Sequence, residues 1–224
     1  MGKDHINPGA NVDWCTPNRI LDPVREYYDG IIDLDPCSND KSIVGALTEY
    51  KLPTNNGLTD TWVVNRPGKM THVYFNPPFG RCYVRDDGLV VLSAKEWSTG
   101  RKLYREWLEA NSTDIVCTVD GAISDTYAAR FTAYPIHDWA LKAAESYRTG
   151  NVAAIGLIPA AVDTATWQQT VFKTATTVCW VKGRITFLGN VKGPAPMACA
   201  VVGWVNDPTR FCEVFSTLGT CTKL

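Results

Sequence analysis

The stretch that decides the fold is His72-Val73-Tyr74-Phe75-Asn76-Pro77-Pro78-Phe79, followed by Gly80 and Arg81. Residues 72–75 read as a short β-strand, and two prolines follow it after Asn76. Each proline fixes φ near −65° and carries no N–H. The turn is therefore stiff, and its backbone carbonyls are free to accept. Asn76 adds a side-chain acceptor oxygen, and Phe79 adds a flat ring. With proline near 5% of residues, a chance Asn-Pro-Pro-aromatic in such a chain arises roughly a few times in a thousand. The apolar strand in front lowers those odds further.

Size and composition bound what such a corner can belong to. At 224 residues the chain can bury a full core and is most simply one domain. Hydrophobic residues make up 45% and charged residues 20%, an ordinary globular balance. The formal charge is −1, so a nucleic-acid partner has to be held by a local patch rather than a global field. No apolar run approaches the roughly 20 residues that span a bilayer, and the polar Met1–Ala10 segment has no signal-peptide core. No membrane partner is expected. The eight cysteines form no Cys-x-x-Cys pair and only three histidines accompany them, which argues against a zinc site. No metal is expected. Cysteines within apolar runs, such as Val178-Cys179-Trp180, read as buried free thiols of a reducing cytoplasm.

Working outward, residues 1–13 read as a loose arm, and Trp14-Cys15-Thr16-Pro17 as a helix entry with Thr16 as N-cap and Pro17 at the first helical position. Ile20, Leu21, Val24 and Tyr27-Tyr28 follow at helical spacing until Gly30. Ile31-Ile32-Asp33-Leu34 is a short strand running into Asp35-Pro36-Cys37-Ser38-Asn39. Residues 46–50 suit a short helix or strand, and Asn55–Trp62 is rich in turns. Residues 81–135 form an irregular block with a strand-like Val90-Val91-Leu92, a helix pattern over Arg101–Ala110 and a second strand pattern over Asp114–Val119. In it Lys95, Arg101, Lys102 and Arg105 outweigh Glu96, with Trp97 and Tyr104 among them. That mix suits a nucleic-acid contact and suits a solvated helix face equally well. Regularity then returns: a helix over Asp138–Arg148, a continuous apolar strand over Val152–Ile158, and a short helix from Thr166. Two strands follow, at Val178–Val181 and Arg184–Phe187, and a last apolar strand runs over Met197–Val205. This alternation predicts an α/β fold with a mostly parallel sheet, helices on both faces and a late antiparallel strand.

These motifs, in this order, resemble the phage DNA N-6-adenine-methyltransferase family, which uses S-adenosylmethionine. The carriers are Asp13-Trp14-Cys15-Thr16-Pro17, Ile32-Asp33-Leu34-Asp35-Pro36, Asn56-Gly57-Leu58 with Trp62, and Asn76-Pro77-Pro78-Phe79. In the tail they are Leu157-Ile158-Pro159-Ala160 with Asp163-Thr164 and Trp167, Val181–Phe187, and Pro194-Ala195-Pro196. The resemblance implies a Rossmann-like methyltransferase fold. It implies that Asn76, Pro77, Pro78 and Phe79 form the catalytic motif. It implies that Trp14, Thr16, Pro17, Asp33, Asp35, Pro36, Cys37, Asn56 and Asp60 line the S-adenosylmethionine site. It covers nearly the whole chain except residues 81–135; the candidate DNA contacts, Arg81, Lys95, Arg101, Lys102, Arg105 and Arg184, are read from their charge instead. One departure stands out: Cys37-Ser38-Asn39-Asp40 occupies the place where the family's first motif carries Gly-x-Gly. The resemblance also sets residues 81–135 apart as an insertion, a candidate for target recognition. The implied reaction moves a methyl group to N6 of a flipped adenine in DNA, in the cytoplasm of a bacterial cell. A protein-glutamine or RNA amino-methyltransferase shares the same tetrapeptide, and a non-catalytic binding module would fit the missing glycines. Monomer and dimer fit the sequence equally.

Overall fold

The computed structural model describes residues 14–224 apart from 53, 65–67, 80–81, 86–90, 94–130 and 190–192. The expected arm over residues 1–13, the helix over 101–110, the strand over 114–119 and the basic cluster at Lys95–Arg105 lie outside the described residues. The chain divides into two compact units. One is built from Val12–Pro77 and Ile136–Leu224, and the other holds Pro78–Pro135.

The larger unit opens with helix α1 (Asn18–Tyr27), whose Ile20, Leu21, Val24 and Tyr27 are buried along one face. Thr16 is not its N-cap. Pro17 holds that position in extended conformation with no side-chain cap, and its carbonyl receives the N–H groups of Ile20 and Leu21. Thr16 turns its hydroxyl inward instead, as described below. The helix stops where Asp29 and Gly30 take positive φ, and the Gly30 N–H returns to the carbonyl of Arg25.

Strands β1 (Leu34–Asp35), β2 (Thr48–Glu49), β3 (Thr71–Phe75) and β7 (Val152–Pro159) are parallel, in the order β2-β1-β3-β7. Of the expected Ile31–Leu34 strand only Leu34 joins the ladder, together with Asp35. Within residues 46–50 only Thr48–Glu49 form strand, and none is helical. Beyond β7 the sheet continues as β9 (Cys199–Trp204), β8 (Thr177–Val181) and β10 (Gly219–Lys223). β9 is antiparallel to both its neighbours, and β10 is antiparallel to β8. Two strands therefore run against the rest, where one was expected. Arg184–Phe187 forms no strand; only Leu188 bridges, to Cys15. The Asp207-Pro208 step caps helix α4 (Pro208–Phe215), the Asp207 carboxylate accepting the Arg210 N–H at 2.9 Å.

Helices cover both faces because successive strand residues point opposite ways. Val152, Ala154 and Ile158 of β7 share a core with Trp139, Ala140 and Ala143 of helix α2 (Ile136–Arg148) and with Trp167 of a π-helical turn, Thr166–Val171, that runs into α3 (Phe172–Thr174). On the other face Cys179 of β8 and Gly203 of β9 meet Phe215 and Phe211 of α4. β7 is the continuous apolar strand its sequence announces, and it is buried from Val152 to Ile158.

The second unit contains a three-stranded antiparallel sheet in the order β5-β4-β6, built from β4 (Cys82–Arg85), β5 (Val91–Ser93) and β6 (Phe131–Tyr134).

Candidate active site

Chain order and sheet order reverse between β1 and β3. From β1 the chain moves out to β2, then returns to lay β3 on the other side of β1. Such a switch point opens a crevice beyond the carboxyl ends of the strands, where ligands bind in open α/β sheets. Asp35 ends β1 and Asn76 directly follows β3, so the two stand on either side of it.

Four contacts draw the expected motifs together here. Asn76 donates from Nδ2 to the Trp14 carbonyl at 3.5 Å. The Asn76 backbone N–H faces the sulfur of Cys37. The Cys15 thiol reaches Asn39 Oδ1 at 3.5 Å, tying the entry segment to the loop after β1. Thr16 Oγ1 and the Tyr74 hydroxyl share a buried hydrogen bond at 3.0 Å. Tyr74 sits two residues before Asn76, so this bond fixes the entry segment to β3. Trp14 also stacks on Phe187, at 5.4 Å between ring centres and 16° between planes.

The loop after β1 keeps its shape without the two glycines. Asp35 Oδ1 accepts the Cys37 N–H at 3.1 Å, the Ser38 N–H goes to the Tyr50 carbonyl, and Asn39 Oδ1 takes the Lys41 N–H at 2.8 Å. An Asx-type turn thus replaces glycine's conformational freedom. The glycine that does allow close approach is elsewhere. At Gly57 a Cβ would stand 1.9 Å from the Pro36 carbonyl oxygen. Trp62 holds that segment in place, donating its indole N–H to the Gly57 carbonyl at 2.6 Å. Asn-Gly was visible in sequence as a turn; its contact with the Asp-Pro step was not.

Burial pushes the Asp35 carboxyl up to about 7, against the hydrogen bonds from Cys37 and Ser42, which lower it, and with the nearby Glu49 charge raising it. The same burial raises the Cys37 thiol and the Tyr74 hydroxyl well above their ordinary ranges. The crevice is thus a poor solvent for isolated negative charge.

Not every expected residue joins the group. Asp33 is fully buried, and its Oδ2 accepts the His72 backbone N–H at 2.8 Å, which sets it inside the sheet. Asp60 receives the Asn56 N–H and the Asn55 side-chain amide, and Asn56 Oδ1 receives the Leu58 N–H, so both polar ends shape their own turn beside Pro36. Arg184 is exposed, and its charge acts on Cys199, the register partner of Pro159 at the carboxyl end of β7. Pro78 and Phe79 open the second unit. Arg81, Lys95, Arg101, Lys102 and Arg105 lie outside the described residues.

Among the described residues three buried side-chain polar atoms have no hydrogen-bond partner: Trp14 Nε1, Asn76 Oδ1 and His137 Nδ1. Buried polar atoms are nearly always paired, and those left over call for a reason. Trp14 and Asn76 touch each other. His137 stands in the first turn of α2, whose far end leads through Gly150 into the start of β7. All three therefore lie toward the carboxyl end of the parallel strands.

Fold and site together define an α/β protein with a mixed sheet, in which Asp35-Pro36 and Asn76-Pro77 stand at the carboxyl ends of the strands on either side of the switch point. The chain belongs to the DNA N-6-adenine-methyltransferase (Dam) family, whose model matches residues 5–202. Among curated proteins none matches. A solved structure to which the chain is similar is that of the Type IIL restriction-modification enzyme MmeI in complex with DNA, at 13% identity and a TM-score of 0.31. The likeness covers 66% of this chain and 17% of that one, so the chain spans about a sixth of that enzyme's length.

Proposed function

We propose that this protein transfers the methyl group of S-adenosylmethionine to N6 of adenine in DNA. The observation that carries the reading is the buried, unpartnered side-chain oxygen of Asn76, set beside Pro77 at the end of β3. Adenine's amino group is a poor nucleophile because its lone pair is delocalised into the ring. Asn76 Oδ1 accepts one amino hydrogen and the Pro77 carbonyl accepts the other. Two fixed acceptors draw the nitrogen toward tetrahedral geometry and free its lone pair. Phe79 offers a face for the ring, worth on the order of 1–3 kcal/mol per stacked base. As the nitrogen–methyl bond forms, the methyl–sulfonium bond breaks and a neutral thioether leaves. The amino nitrogen then loses its extra proton to water, so no strong base is needed, and positioning and electrostatics supply most of the acceleration.

The methyl donor fits the residues at the switch point. S-adenosylmethionine, when bound, supplies an activated methyl on a sulfonium. What supports this fit is the position of the hydrogen-bonded turn at Cys37–Asn39, at the carboxyl end of β1 and with Gly57 packed against Pro36 beside it. Trp14, Thr16, Pro17, Asp35, Pro36 and Cys37 would hold it, with Asn56 and Asp60 at its border. Asp33 supports the strand beneath. In this reading the larger unit is a Rossmann-like methyltransferase domain, and the Pro78–Pro135 unit, with Arg81, Lys95, Arg101, Lys102 and Arg105, reads the DNA target. The adenine is flipped out of the duplex, since its amino group is out of reach inside the stack.

The test is direct. The protein is incubated with labelled S-adenosylmethionine and unmethylated duplex DNA, and the DNA is digested to nucleosides. Label in N6-methyladenosine is the expected result. Label in N4-methylcytosine would move the target to cytosine, and the absence of transfer would leave only a binding module.

A further inference from the structure

The two orphan atoms on touching residues form a pair of opposite kind. Asn76 Oδ1 accepts only, and Trp14 Nε1–H donates only. Both are buried and neither has a partner among the described residues. The Asn76 amide is oriented by its other end, since Nδ2 is committed to the Trp14 carbonyl. The indole is equally fixed. Its ring lies flat against buried Phe187, and the next residue, Cys15, exchanges two backbone hydrogen bonds with Leu188 at 3.1 and 2.9 Å. The two residues thus meet through the Asn76 amide and the Trp14 carbonyl, and each keeps one buried polar atom uncommitted before any ligand arrives.

Adenine presents the complementary pattern: an amino donor flanked by the ring acceptors N1 and N7. We propose that the Trp14 indole N–H donates to one of these ring nitrogens and sets the register of the base against Asn76. This rests on the proposed methyl transfer to adenine. The pair also explains selectivity. Guanine would turn its O6 acceptor toward Asn76 Oδ1 and thymine its O4, each leaving two acceptors face to face. Cytosine carries the same amino-and-acceptor edge, so its rejection falls to the size of the ring.

The experiment compares wild type with Trp14→Phe, which keeps a ring against Phe187 and removes only the donor. Duplex substrates carry adenine, 1-deazaadenine or 7-deazaadenine at the position the wild type methylates, with S-adenosylmethionine saturating. Loss of one such hydrogen bond is expected to lower kcat/KM for DNA about 10- to 100-fold. Wild type should show that loss on one analogue, Trp14→Phe should show it on adenine, and the two together should lose no more than either alone. The proposal is overturned if Trp14→Phe methylates adenine normally, if the wild type is indifferent to both analogues, or if the losses multiply. It is also overturned if the variant's defect lies only in the KM for S-adenosylmethionine, which would assign the N–H to the cofactor. Should the variant fail to fold, the wild type on the two analogues still decides. A wild type that transfers no methyl to adenine would refute the proposed function itself, an outcome distinct from all of these.

Discussion

The Pro36 carbonyl oxygen lies 1.9 Å from where a Cβ on Gly57 would stand. The obstacle is backbone, which cannot swing aside as a side chain can. Trp62 clamps the Gly57 side of the contact through its 2.6 Å hydrogen bond, and Trp62 is itself packed on Phe75 at 5.4 Å. The segment after β2 is thereby locked to the end of β1 and to β3 at once. Gly57→Ala is expected to push the two loops apart and cost about 1–3 kcal/mol, the usual range for forcing extra volume into a packed site. Urea denaturation reads the stability, and calorimetric titration with S-adenosylmethionine reads the site. A variant with wild-type affinity would show that the contact does not shape the cofactor surface.

A second glycine works on β3 directly. Gly156 of β7 is the register partner of Phe75, and a Cβ there would stand 2.3 Å from Phe75 Cζ. Phe75 is fully buried and immediately precedes Asn76. Gly156→Ala should destabilise the fold by about 1–3 kcal/mol and displace the strand end that carries Asn76. Combining it with Phe75→Leu, which makes room, should return part of both stability and methyl transfer. If the double variant shows the plain sum of the two losses, the residues do not share the space.

Much of this was legible in sequence, for identifiable reasons. β3 and β7 announced themselves because both are apolar runs with sharp ends, one at Asn-Pro-Pro and one after Gly150. The grouping of Trp14–Pro17, Asp35–Pro36 and Asn76 follows from family order, and the observed contacts join the entry segment, the Cys37–Asn39 loop and the end of β3. What failed were local decisions made by distant partners. Thr16 has the side chain of an N-cap, yet its hydroxyl goes to Tyr74, 58 positions away. Arg184–Phe187 has strand-like composition, but the adjoining sheet edge is taken by β10, whose Gly219 lets the chain pass 1.9 Å from the Trp180 carbonyl measured to a hypothetical Cβ. Asp33 and Asp35 look alike on paper. The pleat and the register decide that one serves the His72 backbone and the other faces the loop at the strand end.

The Asn76 side chain offers a clean separation of stability from chemistry. Its oxygen bonds to nothing among the described residues, and its nitrogen makes one long contact at 3.5 Å. Asn76→Ala should therefore cost the fold no more than about 1 kcal/mol. Methyl transfer should fall by a factor on the order of 10² to 10³ or more, as when an aimed electrostatic contact is removed. Asn76→Asp keeps an acceptor oxygen and should retain more activity than Ala if acceptance is the task. Equal activities in the two variants would sink that assignment, and a large drop in denaturation midpoint for Ala would recast Asn76 as structural.

Asp35 gives the protein a pH signature. Its carboxyl is buried and titrates near 7 rather than at its ordinary 3.8. A carboxyl raised in the folded state favours folding relative to its ionised form only while it stays protonated. Its contribution is full below about 3.8, shrinks as pH rises, and is gone above about 7. Asp35→Asn removes the titration yet keeps an oxygen to accept the Cys37 N–H. Wild type and variant should be similarly stable at pH 4. By pH 8 the variant should be more stable, by at most about 4 kcal/mol, with the gap opening chiefly between pH 5 and 7. Urea titrations at pH 4, 6 and 8 measure that gap, and because every other group titrates in both proteins, the difference isolates Asp35. Curves that run parallel across the range would mean that the carboxylate is stabilised by the site, and that its burial does not govern its ionisation.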